Sequence, residues 1–348
     1  MNQKERKQSP LGIIQEIMRM STEDGPGIRT TVFFKGCPLK CTWCHNPECI
    51  SPIEQLQWTG SKCIGCKTCL EICPNNALSF GPQGISIDRS ACRVCGKCAD
   101  ECPSLALELL GRRMTVEELA DEVAKDRAYF EKSGGGITVS GGDPTMQAEF
   151  AGAFLKICKK KGLHTALDTC GLCNEETLKK LLPFADMVLY DLKEIDPEKH
   201  KDFTGHSNEK IFKNLLFIRD WIVSHGSPQE LWVRTPIIPG ATARKDNIQG
   251  LGKFIANNLK GQVNRWQLCA FNNLCGDKYT RLDLNWNFRG QPLITCDRME
   301  ELARAAKKSG VDPGIVFWSG STRMEREDLA QEKEERPTLR LIQGGAGT

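Results

Sequence analysis

The chain has 348 residues, of which 26% are charged and 40% are hydrophobic, and its formal net charge is only +3. This composition describes one ordinary soluble domain, or such a domain with a smaller one attached. The balanced charge excludes a strongly basic surface, so we expect no nucleic-acid partner. Cysteine is the exception, because it occurs eighteen times. That many cysteines must serve disulfides, metal ions or redox chemistry.

The amino-terminal sequence gives no sign of export. It is charged and lacks the apolar core and small-residue cleavage site of a signal peptide. No apolar run long enough for a membrane span follows it. We therefore expect a cytoplasmic protein with no membrane partner. Because the cytoplasm keeps thiols reduced, clustered cysteines predict metal binding rather than disulfides.

Two strands are predicted near the start of the chain, over residues 12–19 and 30–34, the second rich in β-branched and aromatic residues. The second strand leads to Cys37, Cys41 and Cys44, which have the spacing CxxxCxxC. Three thiolates satisfy three irons of a 4Fe-4S cluster and leave the fourth iron open for a substrate, as a catalytic zinc keeps one position free. This spacing predicts an open, catalytic cluster.

A closed site is the alternative, in which Cys49 or a histidine supplies a fourth ligand. His45 follows Cys44 directly, so its side chain is expected to point away from the iron. The open site is therefore the favoured interpretation.

Eight further cysteines form two runs of the pattern CxxCxxCxxxCP, and each matched pair is offset by 29 residues. This duplication is typical of bacterial ferredoxins, in which the fourth cysteine of each run ligates the cluster of the other run. Structural zinc is the alternative, because CxxC pairs also suit zinc, but the regular phase and both prolines favour clusters. The predicted ligand sets are Cys63, Cys66, Cys69 and Cys102 for one 4Fe-4S cluster, and Cys92, Cys95, Cys98 and Cys73 for the second.

The rest of the chain predicts alternating helices and strands. A capping box of Thr115 and Glu118 starts a helix that runs to about Lys132. The strands and helices that follow are at 137–140, 147–161, 165–168, 175–182, 187–191, 211–224, 231–235, 247–259 and 265–271, beginning with a strand. This alternation predicts a parallel sheet with helices outside it. From about Ser319 the chain turns polar, and we expect a helix at most, then a frayed tail.

Four charged residues fall at or just beyond the carboxyl ends of predicted strands: Asp143, Asp168, Asp191 and Arg234. Parallel α/β sheets and barrels bind their ligands at that edge. Each residue alone could be a helix cap or a loop charge. Four of them beside an iron–sulfur motif predict a ligand site.

Residues 21–48, STEDGPGIRTTVFFKGCPLKCTWCHNPE, resemble the glycyl-radical enzyme activating enzymes, a radical S-adenosylmethionine (SAM) family that includes pyruvate formate-lyase activating enzyme. The resemblance implies an α/β fold: a partial (β/α)6 radical SAM barrel with an inserted bacterial-ferredoxin-like domain that binds two 4Fe-4S clusters. The implied boundaries are 1–48 for the first barrel strands and the cluster loop, 49–110 for the insertion, 111–318 for the rest of the barrel and 319–348 for the polar tail.

The resemblance also implies roles for residues near SAM. Ser140 to Pro144 are similar to the family's GGE motif, with Asp143 in place of glutamate. Gly141 and Gly142 would let the backbone approach a ligand, and the Asp143 carboxylate would pair with the methionine ammonium.

Three other segments are similar to motifs of the same family. Asp168, Thr169 and Asp191 are implied to hold a monovalent cation near the SAM carboxylate, and Lys193 to lie beside the site. Cys170 replaces the serine that usually follows this threonine.

Arg234 begins a segment similar to the family's RxPxIPG, and Trp43 is implied to lie near the adenine. Asn272 is expected to contact SAM or the partner, although the loop before it lacks the family's proline.

The implied activity is reductive cleavage of SAM to a 5′-deoxyadenosyl radical, which abstracts a hydrogen from a glycine Cα of a partner enzyme. The implied cofactors are SAM, three 4Fe-4S clusters and a monovalent cation. The implied partners are a glycyl-radical enzyme and a flavodoxin or ferredoxin electron donor. No side chain is expected to act as acid or base. The alternatives are a radical SAM enzyme for a small molecule or peptide, and a non-catalytic electron-transfer protein.

Overall fold

The computed structural model describes residues 10–259 and 261–323. The strands in these residues are β1 (Leu11–Ser21), β2 (Arg29–Phe34), β3 (Gln55–Trp58), β4 (Leu78–Gly81), β5 (Gly84–Ile87), β6 (Leu107–Leu110), β7 (Arg112–Thr115), β8 (Gly136–Gly141), β9 (Thr165–Thr169), β10 (Met187–Asp191), β11 (Glu230–Ile237), β12 (Arg265–Ala270) and β13 (Val316–Ser319). The helices are α1 (Thr68–Ile72), α2 (Lys97–Asp100), α3 (Val116–Ala124), α4 (Arg127–Ser133), α5 (Ala148–Lys160), α6 (Glu175–Leu181), α7 (Pro197–Thr204), α8 (Glu209–His225), α9 (Lys245–Asn258), α10 (Gly276–Arg281) and α11 (Cys296–Lys307).

One large sheet runs through the described part of the chain, with the strand order β13-β12-β11-β10-β9-β8-β2-β1-β7. Strand β2 and strands β8 to β13 are parallel, as the alternation of strands and helices predicts. Strands β1 and β7 run antiparallel at one edge, which differs from the expected all-parallel sheet. The α/β fold class is confirmed, and the sheet is an open, partial barrel.

Strand β2 lies between β8 and β1 in the sheet, and all six of its residues are buried. A strand covered on both faces needs apolar or β-branched side chains throughout, and RTTVFF supplies them apart from its first residue. Phe34 packs edge-on against Phe150 of α5 at 5.9 Å between ring centroids. Burial of side chains of this size stabilises the fold by about 1.5–3 kcal/mol each.

The predicted insertion lies between β2 and β7 in the chain and contains strands β3 to β6 with helices α1 and α2. Strands β3 and β6 pair antiparallel at its base, and β4 pairs with β5. Its backbone repeats the 29-residue offset of the sequence, because residues in the left-handed region recur in matched pairs. These pairs are Gly65 with Val94, Lys67 with Gly96, and Asn76 with Leu105.

The helix predicted from Thr115 to about Lys132 is two helices, α3 and α4, and the prediction of one helix is wrong. The capping box forms, since the Glu118 backbone N–H donates to the Thr115 hydroxyl at 3.2 Å and the Glu118 carboxylate accepts from the Thr115 N–H. The break comes at Asp126, whose carboxylate accepts from the Thr30 hydroxyl at 2.7 Å and pairs with Arg19. These tertiary contacts interrupt the helix.

The turn between β1 and β2 is built around Arg29, which is fully buried. Its guanidinium donates to the Thr138 hydroxyl and the Ile137 carbonyl oxygen, each at 2.6 Å, and to the Pro26 carbonyl oxygen at 3.3 Å. Gly27 has φ +66°, and a Cβ there would lie 2.5 Å from backbone atoms of the α4–β8 connection. The run DGPGIR is therefore a packed turn whose arginine ties it to β8.

The polar segment predicted from Ser319 begins where β13 ends, and residues 324–348 lie outside the described residues. Across the described chain, no helix has both the length and the apolar character to span a membrane.

The first testable prediction concerns Arg29. Arg29→Met leaves two buried acceptors without their donor, so we expect the free energy of unfolding to fall by about 2–4 kcal/mol. Guanidinium denaturation followed by tryptophan fluorescence measures it. Arg112→Met, at an exposed position of β7, is the matched control and should change the free energy of unfolding by less than about 0.5 kcal/mol. Equal losses in the two variants would contradict the role of Arg29.

Candidate functional site

A cavity of about 760 Å³, here called the central cavity, opens at the carboxyl ends of the parallel strands. Its volume lies in the range of small-molecule sites, about 300–1,000 Å³. It brings together twelve of the residues predicted for the open cluster and the SAM site: Cys37, Cys41, Trp43, Cys44, Gly141, Gly142, Asp168, Thr169, Asp191, Lys193, Arg234 and Asn272. Asp143 does not line it.

The cluster loop, residues 37–44, is braced from two sides. The backbone N–H groups of Lys40 and Thr42 donate to carbonyl oxygens at the end of α7, at 2.9 and 3.0 Å. Tyr279 of α10 donates its hydroxyl proton to the Cys44 carbonyl oxygen at 2.9 Å. Neither helix is among those predicted from the sequence. The loop is therefore supported by tertiary contacts that its own sequence does not indicate.

The thiols of the cluster loop lie in a poorly solvated environment. Burial raises the pKa of Cys41 to about 11, although Lys193 opposes the rise. Burial and the neighbouring Cys41 also raise the pKa of Cys44 well above its ordinary value. A buried thiolate needs a positive partner, and iron is a partner of that kind. Three soft sulfur donors at the wall of one cavity fit an iron–sulfur cluster.

The two side chains considered for a closed site have different positions. Cys49 is only 1% exposed and does not line the central cavity. His45 does line it, and its buried Nε2 has no hydrogen-bond partner among the described residues. The histidine therefore lies at the cavity wall, and the expectation that it points away from the iron stays a prediction.

The two glycines after Ser140 are required by backbone packing. A Cβ on Gly142 would lie 2.2 Å from the Gly36 carbonyl oxygen, and one on Gly141 would lie 2.3 Å from the Phe34 nitrogen. The end of β8 thus packs directly on the end of β2, where the cluster loop begins. The sequence assigns the glycines to contact with a ligand, and the structure adds this close contact between strands.

Asp143 is fully buried beneath the cavity wall. Its carboxylate accepts from the Thr145 hydroxyl at 2.6 Å, from the Thr169 hydroxyl at 2.9 Å and from the Cys170 N–H at 2.9 Å. These donors occupy both oxygens, so the expected pairing with the methionine ammonium has no support in the geometry. Asp143 instead holds the loop after β9 against the end of β8.

A charged network crosses the central cavity, with Arg234 at its centre. The guanidinium pairs with Asp168, and with Asp191 at 3.3 Å. Lys193 pairs with the other oxygen of Asp191 at 2.6 Å. Asp24, from the turn before β2, lies 3.9 Å from the guanidinium. Three carboxylates therefore face two cations. Asp24 belongs to the DGPGIR segment, and its position at the site is not predicted from the sequence.

The two central carboxylates differ in acidity. Burial raises the pKa of Asp168 to about 6, although Arg234 opposes the rise. Burial also acts against ionisation of Asp191, but Lys193 and Arg234 hold the pKa of Asp191 below its ordinary value. One network thus contains one carboxylate that titrates near pH 6 and one that stays ionised.

Trp43 and Asn272 close the apolar side of the cavity. Trp43 is buried and lies 5.8 Å from the ring of Phe203. The Asn272 side chain accepts from the Leu274 N–H at 3.2 Å, which makes a local turn. This turn shapes the loop in which the family's proline is absent.

Sequence analysis missed several residues of the central cavity. Ser140 donates to Asp168 at 2.6 Å and could have been recognised, since it stands directly before the two glycines. Gln267 and Ser319 carry no motif signal, and they reach the cavity because β12 and β13 extend the sheet.

Two smaller pockets lie in the insertion, and each is lined by one of the crossed cysteine sets. The Cys102 sulfur accepts from the Ala106 N–H at 3.3 Å, and the Cys73 sulfur accepts from the Ala77 N–H at the same distance. The first pocket, here called the outer pocket, contains Cys63, Cys66, Cys69 and Cys102, and the second, the inner pocket, contains Cys73, Cys92, Cys95 and Cys98.

The thiols of the inner pocket influence one another. Burial, together with the neighbouring Cys92 and Cys73, raises the pKa of Cys98 to about 11. In the described residues, no three His, Cys, Asp or Glu side chains converge on one ion-sized point.

A testable prediction follows for Asp168. Arg234→Met removes the guanidinium that lowers the pKa of Asp168, so we expect this pKa to increase above about 6. A pH titration of the ¹³C-carboxyl NMR signal, assigned with Asp168→Asn, measures it, and Arg112→Met should leave the midpoint unchanged. An unmoved midpoint in Arg234→Met would contradict the network.

The raised pKa of Asp168 also determines how its contribution to stability changes with pH. The folded-state pKa of about 6 lies above the ordinary 3.8, so the folded protein binds this proton more tightly than the unfolded chain does. The contribution of Asp168 to stability is therefore complete below about pH 4 and is lost as the pH rises through about 6.

Two family models match the chain. The radical SAM superfamily matches residues 88–247, and a 4Fe-4S dicluster domain matches residues 62–106. The first range begins within the predicted insertion and does not include the cluster loop. A radical SAM domain implies SAM and a 4Fe-4S cluster, and the dicluster domain supports additional clusters.

Three curated proteins are similar over most of the chain. The (2S)-3-sulfopropanediol dehydratase activating enzyme of Klebsiella oxytoca is 40% identical over 81% of this chain and 89% of that protein. The trans-4-hydroxy-L-proline dehydratase activating enzyme of Clostridioides difficile is 35% identical over 87% and 98%. The isethionate sulfite-lyase activating enzyme of Oleidesulfovibrio alaskensis is 40% identical over 78% and 87%.

These matches extend far beyond the insertion, so the chain is not an electron-transfer protein built on the ferredoxin motifs alone. They also agree with the resemblance seen in residues 21–48. The chain therefore belongs to the radical SAM family of glycyl-radical enzyme activating enzymes, oxidoreductases that cleave SAM to generate a glycyl radical in a partner enzyme.

Proposed function

We propose that SAM binds in the central cavity beside a 4Fe-4S cluster held by Cys37, Cys41 and Cys44. The observation that carries this proposal is that one cavity wall contains both the three cysteines and the charged network of Arg234. When bound, the reduced cluster and SAM supply the 5′-deoxyadenosyl radical that takes a hydrogen atom from the partner's glycine.

The charged network orients the polar end of SAM. Lys193 and Arg234 present cations to a carboxylate, and Asp191 fixes the position of both. Because three carboxylates face two cations, the network has one negative charge to spare when all are ionised. A monovalent cation beside Asp168 and Thr169 would balance it.

The apolar wall protects the reactive end. Trp43, Ile238 and Phe271 are all buried and line the cavity on the side of the cluster loop. Bulky, largely apolar side chains near the reacting atoms keep water and competing molecules away from a radical. We assign Trp43 to contact with the adenine.

The insertion completes a set of three clusters. The outer and inner pockets each collect three cysteines from one run and the fourth from the other, which supports the crossed assignment. The N–H groups that point at Cys73 and Cys102 suit sulfurs that carry negative charge. We assign an electron-carrying role to these two clusters, with a flavodoxin or ferredoxin as donor.

The partner is proposed only by class, as a glycyl-radical enzyme. The relatives are named for two dehydratases and a sulfite-lyase, yet their identities to this chain lie between 35% and 40%. Sequence identity at this level does not show which type of glycyl-radical enzyme is the partner of this chain.

Cys41→Ala tests the open cluster. Removal of one of three ligands should abolish SAM cleavage, measured as 5′-deoxyadenosine, and lower the iron content from about twelve to about eight per chain. Cys49→Ala is the control and should keep both values, because Cys49 lies off the cavity wall. Loss of a cluster in Cys49→Ala would favour the closed site, and SAM cleavage by Cys41→Ala would contradict the assignment.

Paired substitutions test the crossed sets. Cys73→Ala with Cys92→Ala removes two ligands of one proposed cluster, so we expect a loss of about four irons per chain. Cys73→Ala with Cys63→Ala removes one ligand from each cluster, and we expect a loss of about eight. Iron analysis and EPR of the dithionite-reduced protein measure both. The opposite ranking would show that each run holds its own cluster.

A further inference from the structure

The two pockets of the insertion stand at different distances from the barrel along the ribbon of β3 and β6. At one end of β3, the Gln55 side chain accepts from the Lys35 ammonium at 3.1 Å, two residues before the cluster loop. Leu56, the next residue, lines the inner pocket, whereas Trp58 at the other end lines the outer pocket. The inner pocket is therefore nearer to the barrel.

A second contact supports this order. Arg89, which precedes the inner-pocket Cys92, donates to the Leu56 carbonyl oxygen and pairs with Asp283 at 3.5 Å. Asp283 follows α10, the helix whose Tyr279 braces the cluster loop. The inner pocket is thus attached to the barrel through β3 and through the segment after α10.

The outer pocket carries apolar side chains that face solvent. Ile64 lines it and is 68% exposed, and Leu105, next to its Pro103–Ser104 wall, is 67% exposed. Phe80 is 41% exposed, and a Cβ on Gly65 would lie 3.8 Å from its ring. Solvent-exposed apolar side chains gathered at one place are typical of interaction surfaces.

Two lysines stand beside these side chains. Lys62 and Lys67 are exposed on either side of Ile64, and the Lys67 ammonium lies 5.1 Å from the centre of the Phe80 ring. Among the described residues, the wall of the outer pocket includes Lys67 and no acidic side chain. The thiol of Cys66 is itself exposed at this surface. An apolar centre with basic neighbours is complementary to an acidic protein surface.

We propose that an acidic one-electron carrier protein docks on this distal patch, which consists of Lys62, Ile64, Lys67, Phe80 and Leu105. The inference rests on the proposed function, since it takes the outer-pocket cysteines as ligands of a cluster. In the docked pair, the carrier loses one electron and the iron–sulfur centre of the outer pocket gains it. The electron enters at the pocket farther from the barrel.

The inner pocket provides a control for the test, because basic residues are also exposed around its cysteines. The charge-reversal pair Lys62→Glu with Lys67→Glu alters the outer pocket, and Arg93→Glu with Lys97→Glu alters exposed residues around the inner-pocket cysteines. An acidic flavodoxin is the probe, and its Kd is measured anaerobically by calorimetry on the iron-loaded protein at increasing NaCl concentration.

We expect the outer pair to weaken flavodoxin binding at least tenfold and to flatten the dependence of Kd on salt, because two attractive charges are reversed. The inner pair should change Kd less than twofold. Ile64→Asp, a second and independent variant, should also weaken binding at least tenfold. Equal effects of the two pairs, or an unchanged Kd in the outer pair and in Ile64→Asp, would overturn the proposal.

Two further measurements separate the possible failures. Dithionite-reduced wild-type protein must cleave SAM without any carrier, so the absence of 5′-deoxyadenosine would contradict the proposed function and not the docking. Sedimentation velocity tests whether a second copy of the chain covers the patch. If the outer pair converts a dimer into monomers and leaves flavodoxin binding unchanged, the patch is a contact between copies and the proposal is wrong.

Discussion

The ion pairing of Arg234 is the interaction on which the central cavity depends. Asp168 and Asp191 stand on adjacent parallel strands, and in the β10–β11 register Asp191 lies opposite Arg234 itself. Two carboxylates this close and this poorly hydrated would repel each other strongly, and removal of their cation would leave uncompensated buried charge. The guanidinium therefore permits three acidic side chains to face one space. Lys193 adds a second cation at the same point.

The position of the cysteines depends on a different kind of contact. The cluster loop has no regular structure. Its backbone N–H groups donate to carbonyl oxygens of α7, and it accepts a hydrogen bond from the Tyr279 hydroxyl. The loop that joins β10 to α7 carries Lys193, and the buried Glu194 in it pairs with Arg244 at 3.0 Å. The same segment thus contributes to the charged network and to the support of the cysteines, so the two halves of the site are positioned together.

The sequence was most informative where the chemistry is local. Cysteine spacing within a few residues is set by the ligands of one cluster, so the three groups could be recognised without a fold. The alternation of strands and helices also predicted the parallel strands, because each element buries one face with its own period. The carboxyl-end rule then brought Asp168, Asp191 and Arg234 to one cavity.

Features that depend on distant partners could not be predicted in this way. The break between α3 and α4 arises from Asp126 reaching Thr30, and nothing within the helical pattern signals it. The position of Asp143 in its motif predicts a contact with the methionine ammonium. In the structure its carboxylate instead accepts hydrogen bonds from Thr169 and Cys170. Asp24 lies at the cavity although its turn precedes β2, and its carboxylate is held there by hydrogen bonds from the Ser21 and Thr31 hydroxyls.

The pairing of β3 with β6 has a consequence for the architecture of the whole chain. Gln55 and Leu110 are opposite each other in this antiparallel pair, so the chain enters and leaves the insertion at neighbouring points. Insertion of a longer segment between two fixed ends adds little to the entropic cost of closing that loop, because this cost grows only slowly with loop length. The barrel can therefore carry a module of this size between β2 and β7 without any change in its own strand order, and a barrel of the same design can be complete without it.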